Sequence, residues 1–202
     1  MVEPMLEQFQ KLKNSGKTAS KIGCDNAGEN KTLQERCGSA NWKFPAKFEF
    51  AARATPQQNA CAKNAFTALH NKGRALVTAA NMPVEHQFRL FAQAFEHAAD
   101  PDGLIVETVD GVKQTRHEHF YGNLPNCVDH VKTWGTAGTA TVKSKASGKS
   151  KDRGTICVFV GCAKDHAGDT CLMWSKNTSK ARVTRDVIWL RRMCFPTPPR
   201  RP

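Results

Sequence analysis

The residues best placed to do chemistry are one acid and one base, each at the edge of a predicted element. Asp25 follows a short β-prone run, Lys21 to Cys24, in the sequence Cys-Asp-Asn-Ala-Gly-Glu-Asn. Hard divalent cations such as Mg²⁺ require carboxylate oxygens, so Asp25 is a candidate ligand. Lys63 lies near the start of a predicted helix, and no Asp or Glu occurs between Phe50 and Val84. That helix therefore offers no second carboxylate, and the ammonium group of Lys63 would repel a metal ion.

The elements that would position these residues alternate between helical and β-prone patterns. Met5, Leu6, Phe9 and Leu12 recur at helical spacing before Gly16, which indicates a short amphipathic helix. Strands are predicted over 21–24 and 44–50, and further helices over about 29–37, 59–80 and from Val84 onward. This alternation predicts an α/β first half with Asp25 at the carboxyl end of a strand. The sequence Asp-Asn-Ala-Gly also favours a tight turn. The alternative to a metal-ligand role is therefore that Asp25 serves only to form this turn.

The helix predicted over 59–80 has two contrasting faces. Its apolar stripe contains Ala62, Phe66, Leu69, Leu76 and Val77, and its polar face contains Lys63, Thr67, His70 and Arg74. A polar face of this kind is usually solvated, but a cationic face can also bind phosphate. Both interpretations remain open from the sequence.

The second half changes character. We predict a turn-rich connector over 101–129, a small β domain over 130–190 and a disordered basic tail over 191–202, after a first domain over 1–100. A Ser/Gly/Lys loop inside the β domain contains one acid, Asp152, and five cations: Lys143, Lys145, Lys149, Lys151 and Arg153. This loop is the sequence's strongest candidate for phosphate contacts.

Composition narrows the choice of partners and compartments. The 202 residues include eight cysteines and have a net charge of +12 with a pI of about 9.5, which favours nucleic acid over a membrane as partner, with a merely cationic surface as the alternative. The cysteines show no CxxC pair and no zinc-finger spacing, which is typical of reduced thiols. No signal peptide and no apolar run of membrane-spanning length are found. We therefore expect a soluble intracellular protein, nuclear or cytoplasmic.

Several short sequence motifs, spread in order from about Leu6 to Leu190 of this chain, resemble the integrase region of copia-type LTR retrotransposon polyproteins. Residues 24–29, Cys-Asp-Asn-Ala-Gly-Glu, are similar to the family's S-D-N-G-G-E, and residues 55–63, Thr-Pro-Gln-Gln-Asn-Ala-Cys-Ala-Lys, to its T-P-Q-Q-N-G-x-A-E. Downstream, Trp134-Gly135, Cys157 to Gly161 and Val183 to Val187 resemble its F-G, C-I-F-V-G-Y and V-S-R-D-V. Each word is weak alone, and the shared order and spacing make the resemblance specific.

The resemblance implies a fold and a chemistry. The fold is an incomplete RNase H-like core followed by a small SH3-like β domain. The family's two-metal reaction uses Mg²⁺ or Mn²⁺ held by three acids. Asp25 matches the second acid and Lys63 replaces the third, while the first acid and a zinc module belong upstream of Met1. Gln57, Gln58 and Asn59 match a loop that lies beside DNA. The family's integrases act on DNA as multimers, so the resemblance also implies a homo-oligomer.

With one of three acids, Asp25 would be a vestigial metal ligand and the chain an inactive member of the family without a cofactor. We predict a truncated integrase-like, nucleic-acid-binding protein. The alternatives are a basic nucleic-acid-binding or interaction module adopted by the host, and an active enzyme completed by an upstream segment. If about four loop cations contact phosphate, the slope of log K against log salt should be about −3.6, at about −0.9 per contact.

Overall fold

A computed structural model describes residues 2–39, 46–52, 59–141, 154–164 and 166–196. The chain divides into two compact units, residues 1–67 and 68–202, and the boundary falls within one long helix. Both helices and strands contribute, which confirms a mixed helix-and-sheet protein. The domain boundaries expected at 100, 129 and 190 stay predictions. No described helix has both the length and the apolarity needed to cross a membrane.

The first unit contains a strand-helix-strand arrangement preceded by a helix. Its elements are α1 (Val2–Asn14), β1 (Lys21–Cys24), α2 (Gly28–Gly38), β2 (Lys47–Phe50) and the beginning of α3 (Ala60–Ala79). β1 and β2 pair in parallel, with Lys21 opposite Lys47 and Cys24 opposite Phe50. The buried core consists of Leu6 and Phe9 of α1 with Leu33 and Cys37 of α2. The periodic apolar residues predicted for α1 thus provide its packing face.

In the second unit, the end of α3 packs closely against α4 (Val84–Gly103). A Cβ atom added to Gly73 would lie 3.3 Å from the Cα and N atoms of Phe95, so a glycine permits this close approach of two backbones. The apolar stripe predicted for α3 is only partly correct. Val77 is 5% exposed, whereas Phe66 is 62% exposed. Periodicity shows which residues share a helix face, but it does not show whether another element covers that face.

Residues after α4 form a hairpin and a short helix where the sequence predicted a connector. β3 (Val106–Val109) pairs antiparallel with β4 (Val112–Thr115) across an Asp110-Gly111 turn in which both residues have positive φ. α5 (Arg116–Tyr121) follows directly. Thr115 and Glu118 form its capping box, since each side chain bonds the other residue's backbone N–H.

A five-stranded antiparallel sheet forms most of the remainder. Its strands are β5 (Thr136–Thr141), β6 (Gly154–Cys162), β7 (Cys171–Ser175), β8 (Lys180–Thr184) and β9 (Val187–Met193), in the order β8-β7-β6-β5-β9. One face buries Val158, Val160 and Trp174 against the α3–α4 pair. The opposite face contains a second cluster that includes Cys157, Phe159 and Met173. Alternation along each strand therefore produces two apolar faces, as expected for a sheet that is covered on both sides.

Candidate functional site

Asp25 lies at the carboxyl end of β1, where the sequence places it. Its Oδ1 accepts hydrogen bonds from Asn30 Nδ2 at 2.6 Å and from the Ala27 backbone N–H at 3.4 Å. Asn30 Nδ2 also donates to the Asp25 carbonyl oxygen at 3.2 Å. The carboxylate thus closes the turn between β1 and α2, which is the work of a turn former. Its role as a vestigial metal ligand stays a prediction.

A depression of about 590 Å³ lies at the carboxyl ends of β1 and β2, lined by Gly23, Cys24, Glu49, Phe50 and Ala51. Glu49 is the acid of that lining. It pairs with Lys21 at 2.7 Å and Lys47 at 3.6 Å, and the hydrogen bond from Lys21 is the main reason that its pKa is lowered. Within the described ranges, no group of three or more His, Cys, Asp or Glu side chains could hold a metal ion. The described part of this depression therefore lacks the carboxylate cluster that two-metal chemistry requires.

Of the other residues of the first unit that the sequence predicts to contact DNA, the structure describes two. Gln57 and Gln58 lie outside the described residues, and Asn59 directly precedes α3 with its side chain half-buried. Lys63 is exposed on the first turns of α3, and its carbonyl oxygen accepts a hydrogen bond from Thr67 Oγ1 at 2.9 Å. Lys63 is thus free to meet solvent or phosphate, and these contacts do not decide between the two.

In the second unit, Arg74 is exposed and lines a groove of about 730 Å³ between α3 and α4. The exposed Val84 and Phe88 border the same groove, and Phe88 is 94% exposed. The loop cations Lys143, Lys145, Lys149, Lys151 and Arg153 lie outside the described residues. Their predicted phosphate contacts stay a prediction.

A cationic surface that the sequence analysis missed lies on β8, β9 and the segments beside them. Residues 176–192 contain one acid, Asp186, and six exposed cations: Lys176, Lys180, Arg182, Arg185, Arg191 and Arg192. We call these six cations the basic edge; they lie on or beside β8 and β9, which end the strand order on opposite sides and are joined by Arg185 and Asp186. Arg185 lies 3.8 Å from Asp169, and Arg182 makes no ion pair with a described carboxylate. The local charge count was readable from the sequence, but the position on outer strands was not.

Comparison with known proteins identifies no family. No protein-family model and no curated protein sequence matches the chain. Among solved structures, the chain is similar to one chain in a cryo-EM structure of a simian T-cell lymphotropic virus intasome in complex with PP2A regulatory subunit B56 gamma. The two chains are 11% identical with a TM-score of 0.41, and the match covers 91% of this chain and 61% of that chain. A score of this size does not establish a common fold.

Proposed function

We propose that this protein binds nucleic acid through its phosphate backbone and catalyses no strand transfer. The basic edge is the observation that carries the proposal, because it gathers six exposed cations and one acid into 17 residues of one sheet. Lysine and arginine on outer strands also discourage edge-to-edge aggregation, which is the alternative explanation for these charges. The net charge of +12 over the whole chain favours the binding role.

The proposed ancestry is an incomplete RNase H-like integrase core of the copia type, followed by a small SH3-like β domain. Two features support it. In the first unit, the parallel β1–β2 pair places Asp25 at a carboxyl end and α3 begins after β2, in the order that the resemblance implies. In the second unit, the words Cys157 to Gly161 and Val183 to Val187 fall on β6 and on the β8–β9 connection of one antiparallel sheet.

The proposal that the chain is inactive rests on chemistry at Asp25 and Lys63. A two-metal reaction needs several carboxylates around ions roughly 3.5–4 Å apart. Asp25 bonds its own loop, Glu49 is paired with two lysines, and Lys63 occupies the position of the family's third acid. An ammonium group in that position would oppose metal binding and favour a phosphate contact.

Fluorescence anisotropy with a labelled 20-base-pair duplex tests the binding proposal. We expect weak binding without sequence preference and a steep salt dependence. If about six phosphates are contacted, log K should fall against log salt with a slope of about −5, at about −0.9 per contact. The triple variant Arg182→Gln, Arg191→Gln, Arg192→Gln should flatten the slope by about 2.7.

Lys113→Gln is the matched control for the triple variant, because Lys113 is exposed on β4 and lies outside the basic edge. This control should change the slope of log K against log salt by less than about 0.9, the value of one phosphate contact. A triple variant with unchanged slope would show that the basic edge does not contact DNA. A strong preference for one duplex over scrambled duplexes would indicate base readout and favour a host-adopted binding module.

A further inference from the structure

The groove of about 730 Å³ between α3 and α4 has apolar and cationic side chains along its length. On α4, Val84, Phe88 and Phe91 follow one another at intervals of four and three residues, so they share one helix face. On α3, His70 and Arg74 are four residues apart and line the same groove. All five belong to the second unit. Two helix faces of contrasting chemistry therefore meet in one recess.

The apolar side chains that line this groove are open to solvent. Phe88 is 94% exposed and Val84 is 81% exposed. Phe91 is half-buried, and its ring centre lies 4.9 Å from that of His70, so these two rings form a wall of the groove. Single exposed apolar residues are ordinary on a protein surface, but two that share a groove indicate an interaction site. A partner that covered them would gain the free energy of burying apolar surface.

Arg74 gives the groove a positive charge that no described lining residue neutralises. α3 contains no Asp or Glu, so Arg74 has no carboxylate on its own helix. The exposed guanidinium also makes no ion pair with a described acid. On α4, Glu85 lies outside the lining, and Glu96 lies 3.6 Å from Lys164. The groove therefore favours a partner that brings its own carboxylate.

The dimensions of the groove favour a helix of about two turns as its occupant. The lining residues of α4 extend from Val84 to Ala92, which is about 12 Å at a rise of 1.5 Å per residue. An amphipathic helix binds a groove between helices through apolar residues at i, i+3 or i+4 and i+7. The residues of this chain outside the described ranges include only two acids, Asp152 and Asp165, and Asp152 lies among five cations. An acidic helix for this groove must therefore come from another protein.

We propose that the groove between α3 and α4 binds an acidic amphipathic helix of a partner protein. Val84 and Phe88 contact the apolar face of that helix, and Arg74 pairs with a carboxylate on its flank. Aromatic and arginine side chains are the residues that most often dominate the energy of an interface. The net charge of +12 attracts an acidic partner over a longer range. This site shares no residue with the basic edge, so it goes beyond the proposed function and is tested separately from it.

Fluorescence anisotropy of the full chain with three labelled peptides tests this proposal. The first peptide is a 16-residue helix former with leucines at i, i+4, i+7 and i+11 and glutamates beside them. The second has lysines in place of the glutamates, and the third has the composition of the first in scrambled order. We expect the first peptide to bind at least about tenfold more tightly than either of the others. The scrambled peptide has the same charge, so it measures what attraction to the basic edge contributes by itself.

Four variants of the chain locate the binding in the groove. Phe88→Ser should weaken the acidic peptide about tenfold or more, because it removes the most exposed aromatic contact. Ile188→Ser is its matched control, since Ile188 is 72% exposed on β9 and lies outside the groove. Arg74→Glu should transfer the preference from the acidic peptide to the lysine peptide. Lys113→Glu makes the same change of charge on β4 and should leave the preference unchanged.

The inference is overturned if the acidic peptide binds no better than the scrambled one, or if Phe88→Ser binds it as well as the natural chain. Sedimentation velocity tests the rival occupant, a second copy of this chain. A dimer of the natural chain that Phe88→Ser converts to a monomer would show that another copy covers the groove, and this result would also overturn the inference. Duplex binding without peptide binding would overturn this inference alone, whereas peptide binding without duplex binding would support it and overturn the proposed function.

Discussion

Replacing Gly135 with alanine should destabilise the second unit severely, because two separate costs add. Gly135 has φ +90°, and a side chain in this region costs about 1–2 kcal/mol. An added Cβ would also overlap the Ala80 Cβ and lie 2.9 Å from Met193 Cε. Ala80 is fully buried, so it cannot move into solvent, and overpacking of a core costs about 1–3 kcal/mol. We therefore expect Gly135→Ala to lower the free energy of unfolding by about 2–5 kcal/mol, out of the 5–15 kcal/mol typical of a domain.

The backbone around Gly135 prevents an easy escape from this overlap. Its N–H donates to the Phe159 carbonyl oxygen at 2.9 Å, and its carbonyl oxygen accepts from the Cys194 N–H at 3.0 Å. These bonds join the segment before β5 to β6 and to the residue after β9. Both bonds hold the Gly135 backbone in place and so oppose a shift away from Ala80.

Two glycines serve as controls that separate the two costs. Gly111 has φ +80° with no atom within 4 Å of an added Cβ, so Gly111→Ala should show the backbone cost alone. An added Cβ at Gly138 would lie 2.5 Å from Val187 Cγ1 and 3.1 Å from Met173 Cε without positive φ, so Gly138→Ala should show the packing cost alone. Urea unfolding followed by circular dichroism measures all three, with the midpoint read at constant m. If Gly135→Ala costs no more than Gly111→Ala, the end of α3 does not pack against the segment before β5.

Three further predictions concern ionisation and burial. Burial lowers the pKa of His97 and outweighs the opposing effect of the Asp100 charge, so the neutral form of His97 is favoured in the fold. The free energy of unfolding should therefore fall as the pH drops below about 6.5. His97→Gln should reduce this dependence between pH 7 and pH 5, as measured by urea unfolding. The hydrogen bond from Lys72 is the main reason that the pKa of Asp102 is lowered, so the ionised carboxylate stabilises the fold above about pH 3.9 and this stabilisation is lost as pH falls through the folded value. Asp102→Asn should cost about 0.5–1 kcal/mol at pH 7 and progressively less as the pH falls below about 3.9. Phe88 is 94% exposed and Leu90 is 3% exposed, so Phe88→Ser should change the free energy of unfolding by less than about 0.5 kcal/mol, whereas Leu90→Ala should cost about 2–5 kcal/mol.

The elements of the first unit were predictable because local signals mark them. The predicted strand over 21–24 coincides with β1, and the helix predicted over 29–37 falls within α2 (Gly28–Gly38). Glycine and periodic apolar residues give these boundaries without help from tertiary structure. The turn chemistry of Asp25 was also readable, since an aspartate before Asn-Ala-Gly readily bonds its own loop.

The hairpin β3–β4 was missed although its signal is present. Asp110-Gly111 lies between two runs that begin or end in valine, and an Asp-Gly pair favours the tight turn in which both residues have positive φ. The proline and glycine content of residues 101–129 by itself predicts a connector. Turn residues mark a change of direction, and whether strands flank it depends on the neighbouring residues.

The candidate interface could be predicted only in part, because it depends on tertiary position. The charges of Lys180, Arg182, Arg191 and Arg192 are visible in the sequence. Their placement on the outer strands of the sheet follows from the order β8-β7-β6-β5-β9, which joins strands far apart in the chain. The loop over 143–153 is the more conspicuous candidate in the sequence, because a run of lysines is visible without any knowledge of topology.

The most direct test of the central claim is a search for metal-dependent strand cleavage or transfer by the purified chain. Supercoiled and labelled linear DNA would be incubated with Mg²⁺ or Mn²⁺, using the natural chain, Asp25→Asn, and Lys63→Glu. Because the described residues hold no carboxylate cluster and Lys63 opposes metal binding, we predict no product from any of the three, while DNA binding persists. Metal-dependent product from the natural chain that disappears in Asp25→Asn would contradict the account, because it would show that Asp25 still works in a catalytic site.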